Sequence, residues 1–340
     1  MVKMQDIAQR AGVSQATVSL VLNDRQTGVR IGDATRQRVL ETAREMGYRP
    51  HASAIAMRTG RSGCIALLLS TVDYRSTLPR GVLDGIDDAL AERDLHLVLA
   101  RVPDEKLTNE GFVPKILRQW TADGLLIDYT DHIPPRFLEI IASQQVPAIW
   151  LNAQLPGDCV LPDDDAAGER AARHLCELGH RRVAWVDFSH QNMPGEHYSG
   201  QARREGARRV LRRKKLDFRA TLDASVPPDN RLAALREMLH STNRPTAILT
   251  YGPEDAQAAM LAAAQENLQV PRDLSLLTFG PPGRHLGFLM LTTVLVPEWQ
   301  TGASGVARLL EKIAEPQRAL APLKIEFGWQ EGATCAPPSV

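Results

Sequence analysis

Met4-Gln5-Asp6-Ile7-Ala8-Gln9-Arg10-Ala11-Gly12-Val13-Ser14-Gln15-Ala16-Thr17-Val18-Ser19-Leu20-Val21-Leu22-Asn23 holds two helical periods separated by a glycine. Ile7, Ala8 and Ala11 recur at helical spacing, and Gly12 supplies a sharp turn that lets Val13 point inward. Ser14 stands where a side-chain oxygen caps the free amides of a second helix, whose Val18, Val21 and Leu22 share one apolar face. Gln15, Ala16, Ser19, Leu20 and Asn23 are left on the opposite face. This pattern predicts a helix-turn-helix, a unit that lays its second helix in the major groove of DNA. A solvated amphipathic hairpin has the same periodicity, so the neighbouring residues must decide.

Gly32-Asp33-Ala34-Thr35 opens a third helix with an acid in its first turn. Arg38, Val39, Ala43 and Met46 continue it until Gly47 ends it, and Tyr48-Arg49-Pro50 follow. With Asp6-Ile7-Ala8, Ala11-Gly12-Val13-Ser14, Ala16-Thr17-Val18-Ser19, Leu22-Asn23, Thr35-Arg36 and Arg38-Val39, this series resembles the LacI/GalR family of bacterial transcription regulators. The likeness extends more loosely over nearly the whole chain. It implies an all-α helix-turn-helix head and an α/β body of two doubly wound parallel-sheet subdomains, like those of periplasmic binding proteins. The expected divisions are a DNA-binding domain over 1–48, a hinge helix or linker over 49–62, and an effector-binding and dimerisation core over 63–336. One subdomain is expected at about 64–178 and 296–320, the other at about 179–295 and 321–336, with three crossings between them.

Charge agrees with a nucleic-acid partner for the head alone. Residues 1–61 hold ten basic side chains against five acidic ones, a net of plus five, leaving minus five for the rest of a neutral chain of 340 residues. A basic head suits phosphate binding that weakens steeply with salt. Four scattered cysteines, Cys64, Cys159, Cys176 and Cys335, lack metal-ligand spacing and predict no disulfide. No segment reads as a membrane span or a signal peptide, which predicts a cytoplasmic protein.

From Cys64, apolar strand-like runs alternate with helical stretches: Cys64–Ser70, Leu95–Ala100, Gly124–Asp128, Pro147–Leu151, Arg182–Asp187, Thr246–Thr250 and Leu274–Gly280. Helices are expected at 81–93 and 112–121. Near-continuous apolar strands alternating with helices predict parallel sheets covered on both faces. The acidic triplet Asp163-Asp164-Asp165 lacks further ligands at calcium-loop spacing, so a structural role is expected, with Gly168 allowing a tight helix start. No cofactor and no metal are expected.

The resemblance assigns DNA contacts to Lys3, Met4, Ser14, Gln15, Ala16, Thr17, Ser19, Leu20, Asn23 and Tyr48, and hinge contacts to His51, Ala54 and Met57. Met57 stands where leucine usually wedges into the minor groove, and His51 replaces the usual asparagine. Leu20 replaces a frequent arginine. Glutamine pairs with adenine and small apolar side chains meet thymine methyls, so the half-site should depend less on guanine at that position.

The implied effector site is Arg203, Tyr74, Gly252 and Gly280, in the cleft beyond the carboxyl ends of the strands. Arg203, in Gln201-Ala-Arg-Arg-Glu-Gly206, keeps its place three residues before a glycine. Gly252-Pro253 and Gly280-Pro281 stand where sugar-responsive relatives carry Asn-Asp and paired aspartates. A sugar hydroxyl left unpartnered there costs about 1–3 kcal/mol, which disfavours a conventional monosaccharide. Glycine and proline predict room for a bulkier, flatter or anionic ligand held by Arg203; a constitutive repressor without ligand is the alternative.

The resulting expectation is a dimeric repressor of a metabolic operon, carbohydrate use being the family's prior, bound to a pseudo-palindromic operator with one head per half-site. No enzyme is expected: a phosphate-binding glycine fingerprint, a Gly-x-Ser-x-Gly elbow and a His-Glu-x-x-His pair are all missing. The competing reading is a cytoplasmic solute-binding or enzymatic protein with an accessory DNA-binding head. The end at Cys335-Ala-Pro-Pro-Ser-Val340 carries no leucine heptad for a tetramer.

Overall fold

The computed structural model describes residues 2–22, 31–49, 56, 60–109, 111–118, 122–189 and 197–339. The positions of Asn23, His51, Ala54 and Met57 lie outside them, as does most of the loop after Leu22. The chain forms two compact units, Met1–Ser62 and Gly63–Val340.

The first unit holds α1 (Met4–Ala11), α2 (Gln15–Leu22) and α3 (Asp33–Glu45). Asp6 caps α1 by accepting the Lys3 amide at 2.8 Å. Gly12 ends α1 in the left-handed region at φ +66°, and the Val13 amide returns to the Ala8 carbonyl, so the chain reverses within three residues. Ser14 Oγ accepts the Thr17 amide at 3.1 Å, satisfying a free donor at the start of α2. Ile7, Val18 and Val39, one from each helix, are fully buried together.

In the second unit the helices are α4 (Arg80–Ala91), a single turn α5 (Lys115–Arg118), α6 (Pro135–Gln144), α7 (Asp164–Glu177), α8 (Tyr198–Arg213), α9 (Arg231–His240), α10 (Pro253–Gln265) and α11 (Glu298–Ala314). The strands are β1 (Cys64–Ser70), β2 (His96–Val102), β3 (Gly124–Asp128), β4 (Ala148–Leu151), β5 (Cys159–Pro162), β6 (Val183–Val186) and β7 (Phe218–Leu222). After these come β8 (Ala247–Thr250), β9 (Ser275–Gly280), β10 (His285–Leu286), β11 (Leu289–Met290), β12 (Thr292–Leu295), β13 (Leu323–Ile325) and β14 (Gly328–Gln330).

Two six-stranded sheets result, ordered β13-β5-β4-β3-β1-β2 and β14-β12-β9-β8-β6-β7. All pairs are parallel except β12 with β14. The central strands are buried end to end because helices cover both faces, as their uninterrupted apolar composition requires.

Two subdomain boundaries differ from those expected. The chain leaves the first sheet after Pro162, since Ala167, Ala171, Ala172 and Leu175 of α7 pack with Val183 and Trp185 of the second. It returns with α11 and stays through β13, which pairs with β5, before Phe327 and β14 rejoin the second sheet. The limits near 178 and 320 therefore shift to about 163 and 326. Gly168 lies inside α7, not at its start. Its Cα faces the Arg203 backbone of α8, and Gly206 of α8 faces the Asp165 backbone in return. A side chain at either glycine would force these two helices apart. The helix expected over 112–121 is described only as the turn Lys115–Arg118, after Pro114.

Candidate functional site

In the first unit, the side of α2 away from Val18 and Val21 presents Gln15 and Ala16, exposed, beside half-exposed Thr17, Ser19 and Leu20. Ser14 Oγ also meets Thr17 Oγ1 at 2.9 Å, which fixes the first turn of the helix. Lys3 is exposed at the start of α1. Met4 and Tyr48, assigned to DNA from the sequence, are half-buried and pack against the three-helix core. Their ring and thioether support the head's packing whatever their tips touch.

In the second unit a cavity of about 240 Å³ lies beyond the carboxyl ends of both sets of strands. The loops after β1 and β3 bring Tyr74 and Thr130, that after β8 brings Tyr251, and the N-cap and first turn of α8 bring His197 and Ser199. In each sheet these are the two strands at which the order reverses, where α/β folds leave a crevice. Arg203 and Gly280 line it as well. Gly252 does not: it starts α10, its amide donating to Asp255 Oδ2 at 3.3 Å. Nor do Gly252-Pro253 and Gly280 leave simple open space, because the Pro253 ring sits where a Gly280 side chain would go.

Arg203 is held in place by its surroundings. Its Nε donates to Asp164 Oδ1 at 2.7 Å, and its guanidinium lies 4.6 Å from the Tyr251 ring centroid, 4.8 Å from Phe279 and 5.2 Å from Phe327. Only 6% of the residue is exposed. Burial disfavours its charge, but Asp164 more than offsets that and keeps the guanidinium ionised. The sequence marks the acidic triplet as structural, and each acid has its task. Asp163 accepts the Ala166 amide at the head of α7, Asp164 holds Arg203, and Asp165 holds Arg209.

The other polar walls are satisfied mutually. His197 Nδ1 accepts the Ser199 amide at 3.2 Å, so the Ser199 hydroxyl donates to it at 2.6 Å and receives Tyr251 OH at 2.8 Å. Tyr198 OH donates to Asn152 Oδ1 at 2.7 Å, joining α8 of the second subdomain to the loop after β4 of the first. Tyr74 is placed by its neighbour Arg75, which reaches Asp104 at 2.5 Å. Asp104 also receives Ser70 Oγ and Tyr129 OH. Asn152, His197, Ser199 and Glu298 line the cavity but were missed by the sequence reading, as was Asp104 behind Arg75. The signal available for the first three was position, since each follows a buried strand.

Among the described residues no helix is long and apolar enough to cross a membrane, and no group of His, Cys, Asp and Glu is arranged to hold a metal ion.

Comparison with known proteins agrees with both units. The model for bacterial regulatory proteins of the lacI family matches residues 3–51, and that for a periplasmic binding protein-like domain matches 172–335. The HTH-type transcriptional regulator DegA of Bacillus subtilis is 30% identical over 325 residues, covering 88% of this chain and 87% of its own. The ribose operon repressor of Escherichia coli is 30% identical over 348 residues, covering 96% and 99%. Among solved structures, the lac repressor dimer bound to operator and the anti-inducer ONPF superposes with a TM-score of 0.78 at 22% identity, covering 98% and 99%. A complex of the transcriptional regulator CelR with cellobiose gives 0.63 at 22%, covering 98% and 100%. These relatives are named as transcriptional regulators and not as enzymes. The chain belongs to the LacI family of bacterial regulatory proteins.

Proposed function

We propose that the protein is a cytoplasmic, homodimeric transcriptional repressor that binds a pseudo-palindromic operator of a metabolic operon and senses a small molecule in its cleft. The observation that carries this reading is the solvent-facing row of exposed Gln15 and Ala16 with half-exposed Thr17, Ser19 and Leu20, on a helix capped by Ser14 and anchored by Val18 and Val21. A helix anchored on one face presents the side chains of the other to base edges at fixed spacing. Lys3, at the adjoining helix start, suits a phosphate contact that sets register.

The cleft supports the sensing half. It lies between two subdomains bridged by the Tyr198 to Asn152 hydrogen bond, so a ligand filling it acts on both at once. Arg203 shapes its wall from a fixed ion pair. Selection of binding sites from random duplex DNA by the full chain tests the DNA-reading half. Enrichment of an inverted repeat supports it; no enrichment over input, or a single unrepeated site, refutes it.

A further inference from the structure

At the amino ends of β6 and β7, opposite the cleft, positive charge gathers. Arg181 and Arg182 lead into β6, and Arg212, Arg213, Lys214 and Lys215 run from the last turn of α8 towards β7. All six are exposed. The two strands pair from Val183 and Phe218, which sets the two basic runs side by side, and Arg181 and Lys214 both lie close enough to act on the Cys176 thiol. Arg212 meets Asp217 at 3.5 Å and Arg213 meets Glu169 at 3.9 Å. The side chains of Arg181, Arg182, Lys214 and Lys215 make no ion pair or hydrogen bond among the described residues. Glu177, at the end of α7, and Asp217 are the acids exposed beside them, so six cations face two acids, a net of plus four.

Helix ends attract cations, and Arg212 and Arg213 in the last turn of α8 serve its dipole. That task does not reach Arg181 and Arg182, which precede a strand. Nor does it explain Lys215, whose backbone is left-handed at φ +59°. The Lys215 amide donates to the Arg212 carbonyl and the Leu216 amide to that of Leu211, the helix-ending turn that ordinarily selects glycine. Lysine at this position gives up backbone ease and keeps a charge. The large apolar side chains exposed among the described residues, Leu40, Leu99, Leu261, Phe288, Met290 and Trp299, come from other parts of the chain. A protein partner would need such an anchor, and lysine is depleted where proteins meet. A phosphate backbone needs none, because flexible cations alone bind its regular row of negative charge.

We infer that this edge of the second sheet is a second DNA-binding surface, which holds the phosphate backbone of a duplex separate from the operator, without regard to sequence. A protein with both surfaces bridges two segments of DNA. The surface goes beyond operator reading by α2, and either can hold without the other.

The test loads the full chain on bead-bound duplex carrying the selected inverted repeat, the repeat in excess, and offers a labelled scrambled duplex at about 50 mM salt. The wild type should retain the second duplex. Raising salt to about 200 mM should weaken retention roughly a hundredfold, the loss that four phosphate contacts give at a slope of about −0.9 each. The combined variant Arg181→Gln, Arg182→Gln, Lys214→Gln and Lys215→Gln should retain about tenfold less, or lower still, while staying on the beads itself. No retention by the wild type, or equal retention by the variant, would overturn the proposal. Stronger retention of a labelled repeat than of the scrambled duplex would also overturn it, since spare heads in a larger assembly would then be the cause. Equal displacement by poly-glutamate and by unlabelled scrambled duplex at matched charge would replace DNA with an acidic protein as the partner. If the chain does not stay on the repeat, operator reading fails and the second surface is still decided by saturation with scrambled duplex at low salt in the analytical ultracentrifuge. There the wild type should take up at least one more duplex than the variant, and equal stoichiometries would overturn the proposal.

Discussion

Arg203 Nε donates to Asp164 Oδ1 at 2.7 Å with both residues almost wholly buried, so the two helices bearing them are joined by an ion pair that solvent does not screen. Removing one partner leaves the other charged and desolvated. Arg203→Ala should cost about 3–5 kcal/mol in urea unfolding, whereas Arg203→Met with Asp164→Leu should recover most of it. A double variant as unstable as the single would show that the rings around Arg203 matter more than its charge.

Asp128 ends β3 at 1% exposure, and burial pushes its carboxyl up to about 8. The folded chain thus keeps a proton there that the unfolded chain loses near pH 4. Stability contributed by this group is present at low pH and declines as pH rises from about 4 to 8, by at most about 1.4 kcal/mol per unit. Asp128→Asn should flatten that slope, gaining on the wild type at pH 8 relative to pH 5. Parallel pH profiles for the two proteins would refute the assignment.

Gly168 and Gly206 let α7 and α8 touch backbone to backbone. Alanine at either should destabilise by about 1–3 kcal/mol or more, because the opposing atoms are main chain and cannot rotate away. Differential scanning calorimetry reads this directly; an unchanged Tm for Gly168→Ala would show that the helices have slack.

Ser14 caps α2 through the Thr17 amide. Ser14→Ala should cost about 1 kcal/mol locally, and Ser14→Asp should restore most of it. Hydrogen exchange at Thr17 in the full chain is the readout, with faster exchange in the alanine variant alone.

The parts of the fold most legible in the sequence were those where one physical demand fixed the pattern. Cys64–Ser70 and Gly124–Asp128 read as strands because burial on both faces demands unbroken apolar runs. Phe218–Leu222 and Leu323–Ile325 were missed because, at the ends of their sheets, they alternate between half-buried and exposed. Cys159–Pro162 was missed because a cysteine and a proline bound its two aliphatic residues, leaving no apolar run to detect. The helix-turn-helix was legible from Gly12 and Ser14, whose conformational and capping roles are local. Arg203 lines the cavity, but its partner was not legible in the sequence. Asp164 lies 39 residues earlier, and only the crossing of α7 over α8 brings them together.

The central claim is sequence-specific DNA reading by the exposed row of α2. The most direct measurement is fluorescence anisotropy of the full chain on the selected inverted repeat and on a scrambled duplex of equal length, in wild type and Gln15→Ala, across a salt series. The wild type should prefer the repeat by at least about a thousandfold near physiological salt, and Gln15→Ala should lose about 1–3 kcal/mol on the repeat alone. Equal affinity for both duplexes, or equal weakening of both by Gln15→Ala, would contradict the account.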